Sequence, residues 1–340
     1  MTDARRTLSY LRHLDWYLSR RAEVPLSSDL DATLPLPDLS GVCVAWPVRY
    51  AWPLGGRFLE LVKRSLERLV PVVAAVPAAQ DSRWRAEGGF PVPAEAAGRI
   101  GTPHQPKGPF DIRGEVFEVL RGSDSIRCAY DYSDYPLIST EVAGSVHHYF
   151  KCVAPPGPLP AKALSVGYFS NRSQLLAKAR ARALAGPRIK DIDVYARFGT
   201  WTDGQGAREV LVERLRASQL RFHGGFGTLV FPAYMKELLR AKIALDAPGQ
   251  APITCRLPEA MALGAVVVSA PPACVFPENL IDGVHYAATN PDSSDVVEVC
   301  RRLLDEPEKL ARIATAAGEF FDRNFSPQSI ARRILRQALA

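Results

Sequence analysis

Arg256 and Glu259 are the two side chains whose types and spacing best suit a phosphorylated ligand. They lie in the stretch CRLPEAMALG, which follows an apolar stretch, KIALD, and a short loop, APGQAP. Pro258 belongs in the first turn of a helix, where its missing N–H is not needed, so a helix is predicted to begin near Leu257. Arg256 and Glu259 then share one face. A guanidinium fits phosphate oxygens bidentately, and a carboxylate can accept hydrogen bonds from ribose hydroxyls.

The position of this helix in the chain supports a binding role. Ligands of open parallel sheets bind beyond the carboxyl ends of the strands, where helix N-termini also point and favour anions. Structural interpretations compete with this one. A glutamate in the first turn also suits the helix dipole, and an arginine before a helix can simply be solvated.

Regular alternation of strands and helices is predicted after the proline-rich linker APPGPLP at 154–160. Before the linker, a strand is predicted within 38–49, a helix over 58–69 and a second strand over 71–75. After it, strands are predicted over 163–169, 192–195, 242–246 and 265–269, and helices over 174–185, 231–240, 254–263, 294–304, 308–321 and 327–339. Such alternation indicates a parallel sheet covered by helices on both faces.

The C-terminal half resembles the donor-binding domain of GT-B glycosyltransferases, in particular the glycosyl transferases group 1 type C-terminal domain. The resemblance covers roughly residues 160–340. It is carried by SVGYFSNRS, RARAL and DVYARFG, then CRLPEAMALGAVVVS and FPENLIDGVHYA, and finally LLDEPEKLARIATAAGEFFDRNFSPQSIARRIL. It implies an α/β fold of two Rossmann-like domains that face each other across a cleft. It also implies a nucleotide-diphosphate-sugar donor and no cofactor.

The resemblance implies specific donor contacts. Glu259 stands where the family has its nucleotide-ribose carboxylate, and Arg256 stands where some members have an arginine that faces the donor diphosphate. In the loop after the predicted 163–169 strand, Arg172 is the expected second phosphate ligand and Asn171 a source of N–H groups.

The sequence differs from the family in the residues expected to bind the sugar of the donor. Many relatives carry a second carboxylate seven or eight residues before the ribose carboxylate, but no acid lies between Asp246 and Glu259 here. The sugar is therefore expected to be held by the backbone of the PGQAP loop, which includes Gly249. Thr254 is a further expected donor contact.

No metal site is predicted. The nearest approach to a metal-binding triplet is Asp191-Ile192-Asp193, at the start of a predicted strand, where both carboxylates would point to the same face. Arg256 and the positive helix end would replace a metal in neutralising the departing diphosphate.

The base that deprotonates the acceptor is expected in the N-terminal half. Acidic and histidine side chains cluster just before the linker, at Asp131, Asp134, Glu141, His147 and His148. Asp131 or Asp134 is the predicted base and His148 its competitor; aspartate is also a common turn residue, which is the structural alternative. A further candidate, His223, lies in the glycine-rich stretch FHGGFG.

Composition limits the location of the chain. Its 340 residues are 47% hydrophobic and 23% charged, as in ordinary globular proteins. The six cysteines lie far apart without a CxxC pair, which fits neither a zinc site nor a disulfide framework. The longest apolar stretch, 69–79, is interrupted by prolines and far shorter than the about 20 residues of a membrane span. The N-terminus lacks the apolar segment of a signal peptide, so a cytoplasmic location is predicted.

The net charge of the chain is compatible with three classes of partner. A net charge of +6 fits phosphorylated small molecules, an anionic membrane surface or nucleic acid. No long Lys/Arg run with interleaved aromatic residues is present, so a nucleic-acid platform has little support.

We therefore predict a metal-independent glycosyltransferase with an acceptor-binding domain over 1–155 and a nucleotide-sugar-binding domain over 160–340, whose last helix is a candidate for crossing back. The predicted acceptor is a small molecule or a glycan, without a nucleic-acid partner or stable membrane insertion. The alternative is a non-catalytic nucleotide-sugar-binding or scaffolding protein, in which the donor site is present and the base is absent.

Overall fold

The computed structural model describes residues 23–47, 50, 56–75, 83–84, 86–97, 108–170, 173–199, 205–227, 229–249 and 251–340. Within these residues the chain forms two sheets, one of six strands and one of five. Helices pack on the sheets, and the central strands of the five-stranded sheet are almost entirely buried. None of the described helices is both long and apolar enough to cross a lipid bilayer.

The first sheet is mixed. Its strands are β1 (Val42–Pro47), β2 (Val72–Ala75), β3 (Gly114–Arg121), β4 (Asp124–Asp131), β5 (His148–Lys151) and β6 (Ala163–Ser165), in the order β2-β1-β3-β4-β5-β6. β3 is antiparallel to both β1 and β4, because a two-residue turn that contains Gly122 at φ 61° joins it to β4. The other pairs are parallel, so this unit departs from an all-parallel Rossmann sheet.

In the described part of the chain, four helices accompany the first sheet. They are α1 (Leu30–Thr33), α2 (Gly56–Glu67), α3 (Ala94–Ala97) and α4 (Thr140–Ser145). The predicted helix and two strands before residue 76 are confirmed, with bounds shifted by a few residues.

The second sheet is parallel throughout. Its strands are β7 (Ile192–Phe198), β8 (Phe222–Phe226), β9 (Ala241–Leu245), β10 (Val266–Ser269) and β11 (Ala287–Ala288), in the order β11-β10-β9-β7-β8. Its helices are α5 (Ser173–Leu184), α6 (Gln205–Ala217), α7 (Phe231–Leu239), α8 (Arg256–Ala262), α9 (Val296–Asp305), α10 (Pro307–Asn324) and α11 (Pro327–Ala338). The elements predicted from residue 231 onward are confirmed, whereas α6 and β8 were not predicted.

The strand predicted over 163–169 is corrected by the structure. Strand β6 ends at Ser165 and pairs with β5 of the first sheet, so it does not open the second sheet. The chain then passes Gly167, whose φ is 95°, directly beside α10. A Cβ at this glycine would lie 1.8 Å from the carbonyl oxygen of Asn324. Only glycine therefore permits this crossing between the two units.

The predicted α/β class, with two sheet-containing units, is confirmed. The two units meet near the carboxyl ends of their strands. Ala154, after β5, forms an isolated bridge with Val275, after β10, and Ser165 Oγ donates to the Val275 carbonyl at 3.1 Å.

The last helix returns to the first unit, as the sequence suggested. Helix α11 packs on α2, and its inward face is apolar and buried. Arg332 Nη1 donates to the Leu34 carbonyl at 3.1 Å, and Gln328 Nε2 donates to the Val24 carbonyl at 2.9 Å. The C-terminus thus holds the N-terminal segment against the fold.

One buried ion pair joins four parts of the chain. Arg180 of α5 donates to Asp322 of α10 at 2.7 Å, and both side chains are almost fully buried. The other oxygen of Asp322 accepts from the N–H and Oγ of Ser27 at 2.7 and 2.5 Å. Arg180 Nη1 also donates to the Ala262 carbonyl at the end of α8 at 2.5 Å.

Removing one member of this pair should destabilise the fold strongly. Asp322→Asn leaves the buried guanidinium of Arg180 without a counter-charge, which typically costs about 3–5 kcal/mol in the free energy of unfolding. Urea denaturation measures this loss. The matched control is Asp38→Asn, whose partner Arg121 is exposed and whose replacement should change little. Equal midpoints for Asp322→Asn and wild type would show that the pair does not hold these segments together.

Candidate functional site

The connection from β9 to α8 is organised by Asp246, which is 6% exposed. Its Oδ1 accepts a hydrogen bond from Thr254 Oγ1, and its Oδ2 accepts from the Thr254 N–H at 3.2 Å. Arg256 Nη1 lies 3.3 Å from the same Oδ1. Burial raises the pKa of Asp246, and the charge of Arg256 and the hydrogen bonds from Thr254 oppose that rise. Thr254, a predicted donor contact, is thus engaged in shaping the turn.

Arg256 is held in one orientation at the carboxyl ends of two adjacent strands. Its Nη2 donates to the Arg197 carbonyl in β7, and its guanidinium lies 4.9 Å from the centroid of the Phe198 ring. Its Nε is buried and has no hydrogen-bond partner among the residues that the structure describes. The side chain is 11% exposed, so the predicted phosphate ligand is preorganised rather than solvated.

Glu259 lies one turn into α8 and is 3% exposed. Ser170 Oγ donates to Glu259 Oε1 at 2.6 Å, and the phenol of Tyr234 is also hydrogen-bonded to the carboxylate. Burial, followed by the negative charge of Glu259, raises the pKa of Tyr234 well above its usual range. Both partners are hydroxyl groups, and neither was predicted, because they come from the segment after β6 and from α7.

The remaining predicted donor contacts are Asn171, Arg172 and Gly249. Asn171 and Arg172 lie outside the described residues. Gly249 is buried in the loop after β9 and lies against Arg208 of α6: a Cβ added to it would be 2.6 Å from Arg208 Nη2. Arg208 was not predicted as a site residue, because helix α6 was not predicted.

Asp131, one of the predicted bases, is fully buried at the carboxyl end of β4. Its Oδ1 accepts from Lys151 Nζ at 2.8 Å and from the Oγ and N–H of Ser133 at 2.7 and 2.9 Å. Its Oδ2 accepts from Tyr149 at 2.5 Å. These bonds tie the ends of β4 and β5 together, an arrangement that favours a structural role for Asp131.

Asp134, the other predicted aspartate, is partly exposed and lies just after β4. Burial raises its pKa, while Arg113, Lys151 and a hydrogen bond from Tyr168 act in the opposite direction. The Tyr168 oxygen is also 3.2 Å from Cys255 Sγ, at the start of α8. Tyr168 is thus in contact with both Asp134 and Cys255. Of the predicted bases, Asp134 is the one that these contacts connect to α8.

His148 lies away from these groups. It begins β5 and pairs with Cys128, three residues before the pair Asp131 and Lys151 at the strand ends, which is about 10 Å along the strand. Its ring stacks on Phe150, and burial lowers its pKa. The structure therefore does not bring His148 together with Asp134.

Other acids and histidines are engaged elsewhere. Asp191 is paired with Arg240, and Asp193 with Arg221 and Lys242, at the amino end of β7. His147 Nδ1 accepts from the Arg127 N–H, Glu141 accepts from Trp84, and His223 lies 3.0 Å from Glu237. In the described part of the chain, no group of three or more His, Cys, Asp or Glu side chains could hold a metal ion.

A family match covers the site on α8. Residues 206–336 match the model of a family described as glycosyl transferase-like. This range contains Arg208, Arg256 and Glu259, and the match confirms the resemblance for that part of the chain. No curated protein sequence matches the chain significantly.

Several solved structures are similar to the chain. HepE of Anabaena, solved with UDP and glucose, is 15% identical over 59% of this chain and 66% of its own, with a TM-score of 0.39. TarM of S. aureus, solved with UDP, is 14% identical over 59% of this chain and 46% of its own, with a TM-score of 0.40. A glycosyltransferase of Rickettsia africae is 10% identical over 84% and 81%, also with a TM-score of 0.40. The chain thus spans just under two thirds of HepE, and similarity at this level bears on neither substrate nor mechanism.

Replacing Glu259 by glutamine should weaken use of a nucleotide sugar while the fold survives. The variant keeps the shape and one acceptor oxygen for Ser170 but loses the charge that a ribose diol would meet. We expect kcat/KM for the nucleotide sugar to fall at least about tenfold, or about 1.4 kcal/mol. Glu298→Gln is the matched control, because Glu298 lies in the first turn of α9 and is exposed. Unchanged kinetics in a folded Glu259→Gln protein would remove Glu259 from the site.

Proposed function

We propose that this protein is a glycosyltransferase that transfers a sugar from a nucleotide-diphosphate donor bound at the start of α8. One observation carries the proposal. Arg256 and Glu259 lie one turn apart, both held in place by neighbouring elements, at the carboxyl edge of a parallel sheet and within the segment that matches the glycosyl transferase-like family. That edge is where open α/β sheets bind nucleotides.

Glu259 is proposed to bind the ribose. Ser170 and Tyr234 donate hydroxyl hydrogen bonds to its carboxylate in this structure. A ribose presents two neighbouring hydroxyls of the same kind, so it can take the place of these partners or share the carboxylate with them. A buried acceptor whose partners are exchanged rather than lost incurs little desolvation penalty.

Arg256 is proposed to bind the diphosphate and to assist its departure. Negative charge on the diphosphate grows as the bond to the sugar breaks. A guanidinium already fixed by Asp246 and the Arg197 carbonyl interacts more strongly with that charge than with the ground state, which is the condition for raising kcat. We propose that this charge, rather than a metal ion, neutralises the leaving group.

The loops next to α8 are proposed to complete the donor site. The backbone near Gly249 follows β9 and is the proposed contact for the sugar, while Thr254 shapes the turn through Asp246. Asn171 and Arg172 follow Ser170 directly in the chain, so they are proposed to reach the phosphates.

Asp134 is the proposed base. It lies on the side of the first unit that faces α8 and is connected to Cys255 through Tyr168. A raised pKa brings a carboxylate closer to the range in which a base can both lose and take up a proton near neutrality. The acceptor would then bind between the two units, and its class, a small molecule or a glycan, stays a prediction. The cytoplasmic location stays a prediction as well.

Donor turnover by Asp134→Asn tests this assignment. A panel of nucleotide sugars is screened for hydrolysis and transfer in excess EDTA, and the kinetics of the best donor are compared between variants. We expect Asp134→Asn to lower kcat at least about 100-fold with little change in donor KM, as for loss of a general base. Wild-type kcat should fall as the pH drops through the raised pKa of Asp134, above the usual value of about 3.9, because a base must be deprotonated.

The control for this experiment is Asp124→Asn, at an exposed position where β4 begins. Full turnover by Asp134→Asn would exclude Asp134 as the base. Activity that requires added manganese or magnesium would contradict the metal-independent mechanism. Donor binding without hydrolysis or transfer to any acceptor would favour the non-catalytic alternative.

A further inference from the structure

Arg208 is a buried charge that the proposed mechanism has not used. It lies on α6, is 4% exposed, and its guanidinium carbon is 5.2 Å from the centroid of the Phe198 ring. Its Nη2 donates to the Ala247 carbonyl at 2.9 Å. Ala247 directly follows Asp246, so Arg208 reaches from α6 to the loop that leads into α8.

Arg208 and Arg256 share one aromatic ring. Phe198 is fully buried at the carboxyl end of β7, and the guanidinium carbon of Arg256 lies 4.9 Å from its centroid. Burial lowers the pKa of Arg208, and the positive charge of Arg256 lowers it further, while Asp246 opposes both effects. Two positive charges thus lie within Coulombic range of each other in a poorly solvated place, and the carboxylate of Asp246 beside them supplies a single negative charge against their two.

The loop after β9 is shaped around Arg208. A Cβ at Gly249 would lie 2.6 Å from Nη2 and 3.3 Å from the guanidinium carbon of Arg208. Any larger residue at this position must therefore displace the end of the Arg208 side chain. Since the displaced group is the tip of a flexible side chain, the cost to the fold should be small.

We propose that Arg208 and Arg256 together bind the two phosphates of a diphosphate, and that Arg208 makes the site prefer a diphosphate to a single phosphate. A guanidinium presents a planar fork of donors that matches phosphate oxygens, and two of them suit an anion with two phosphate groups. Arg208 is then a specificity determinant for donors whose sugar is attached through a diphosphate. The identity of that donor rests on the proposed function, whereas the preference between the two anions does not.

Titration calorimetry with inorganic pyrophosphate and orthophosphate tests the inference. We expect wild-type protein to bind pyrophosphate more tightly than orthophosphate. Arg208→Met should weaken pyrophosphate binding at least about tenfold and orthophosphate binding much less, so that the preference falls. Arg208→Lys should recover part of it, because the charge remains but the fork is lost. The matched control is Arg216→Met, an exposed arginine on the same helix, which should leave both affinities unchanged.

Gly249→Ala provides a second variant that keeps every charge. It should displace the Arg208 guanidinium and reduce the preference for pyrophosphate, with circular dichroism and melting temperature close to wild type. If Arg208→Met fails to fold, Gly249→Ala decides the question. An unchanged ratio of the two affinities in a folded Arg208→Met or Gly249→Ala protein overturns the inference, as does a wild-type protein without a preference.

The two proposals fail in different ways. If nucleotide sugars are turned over in a manner that depends on Arg256 and Glu259 while Arg208→Met keeps the pyrophosphate preference, the role of Arg208 is wrong and the proposed function stands. If the preference depends on Arg208 but no nucleotide sugar is bound or turned over, the two-arginine anion site stands and the proposed function is wrong.

Discussion

The buried carboxylate of Asp246 is the constraint on which the arrangement of the site depends. It joins the end of β9 to the start of α8 through Thr254 and Arg256. Helix α8 has 7 residues, too few to be stable alone, so its position must come from its neighbours. At its other end, three basic side chains donate to the last carbonyl of the helix and to the two carbonyls after it: Arg180 to Ala262, Arg188 to Leu263 and Lys190 to Gly264. Cations at a helix C-terminus also interact favourably with its dipole.

Contacts at the two ends of α8 also connect the two units. Arg180 binds Asp322 of α10, the carbonyl of Ala262 at the end of α8 and the carbonyl of Pro25, so the end of α8 is linked to the segment around Pro25. At the start of the helix, Cys255 contacts Tyr168, which hydrogen-bonds Asp134 of the first unit. A shift of α8 would therefore change the contacts of Asp134, the proposed base. Such a connection suits a reaction whose donor and acceptor bind on different units.

The sequence predicted the second unit well because its strands are continuous apolar runs and its helices have clear starts, such as Ser326 before Pro327. The sequence was less informative where contacts between distant residues determine the secondary structure or the role of a side chain. Strand β8 carries Gly224 and Gly225 at positive φ, and its pairing with β7 makes it a strand. Asp131 and Asp134 have similar sequence surroundings. They differ in the structure because Lys151, 20 residues from Asp131, donates a hydrogen bond to Asp131. Arg208 could not be found for the same reason, since its partners are far away along the chain.

Binding of nucleotide sugars to Arg256 variants tests the central claim most directly, because Arg256 is where the proposed diphosphate meets the chain. Calorimetric titration of the best nucleotide sugar, the matching nucleoside diphosphate and the free nucleoside would be compared among wild type, Arg256→Lys and Arg256→Ala. If Arg256 binds the diphosphate, Arg256→Ala should bind both phosphorylated ligands at least about tenfold more weakly than wild type, and Arg256→Lys should be intermediate. Nucleoside binding should be unchanged in both variants. Equal weakening of all three ligands, or no binding of any nucleotide sugar to the wild-type protein, would contradict the central claim.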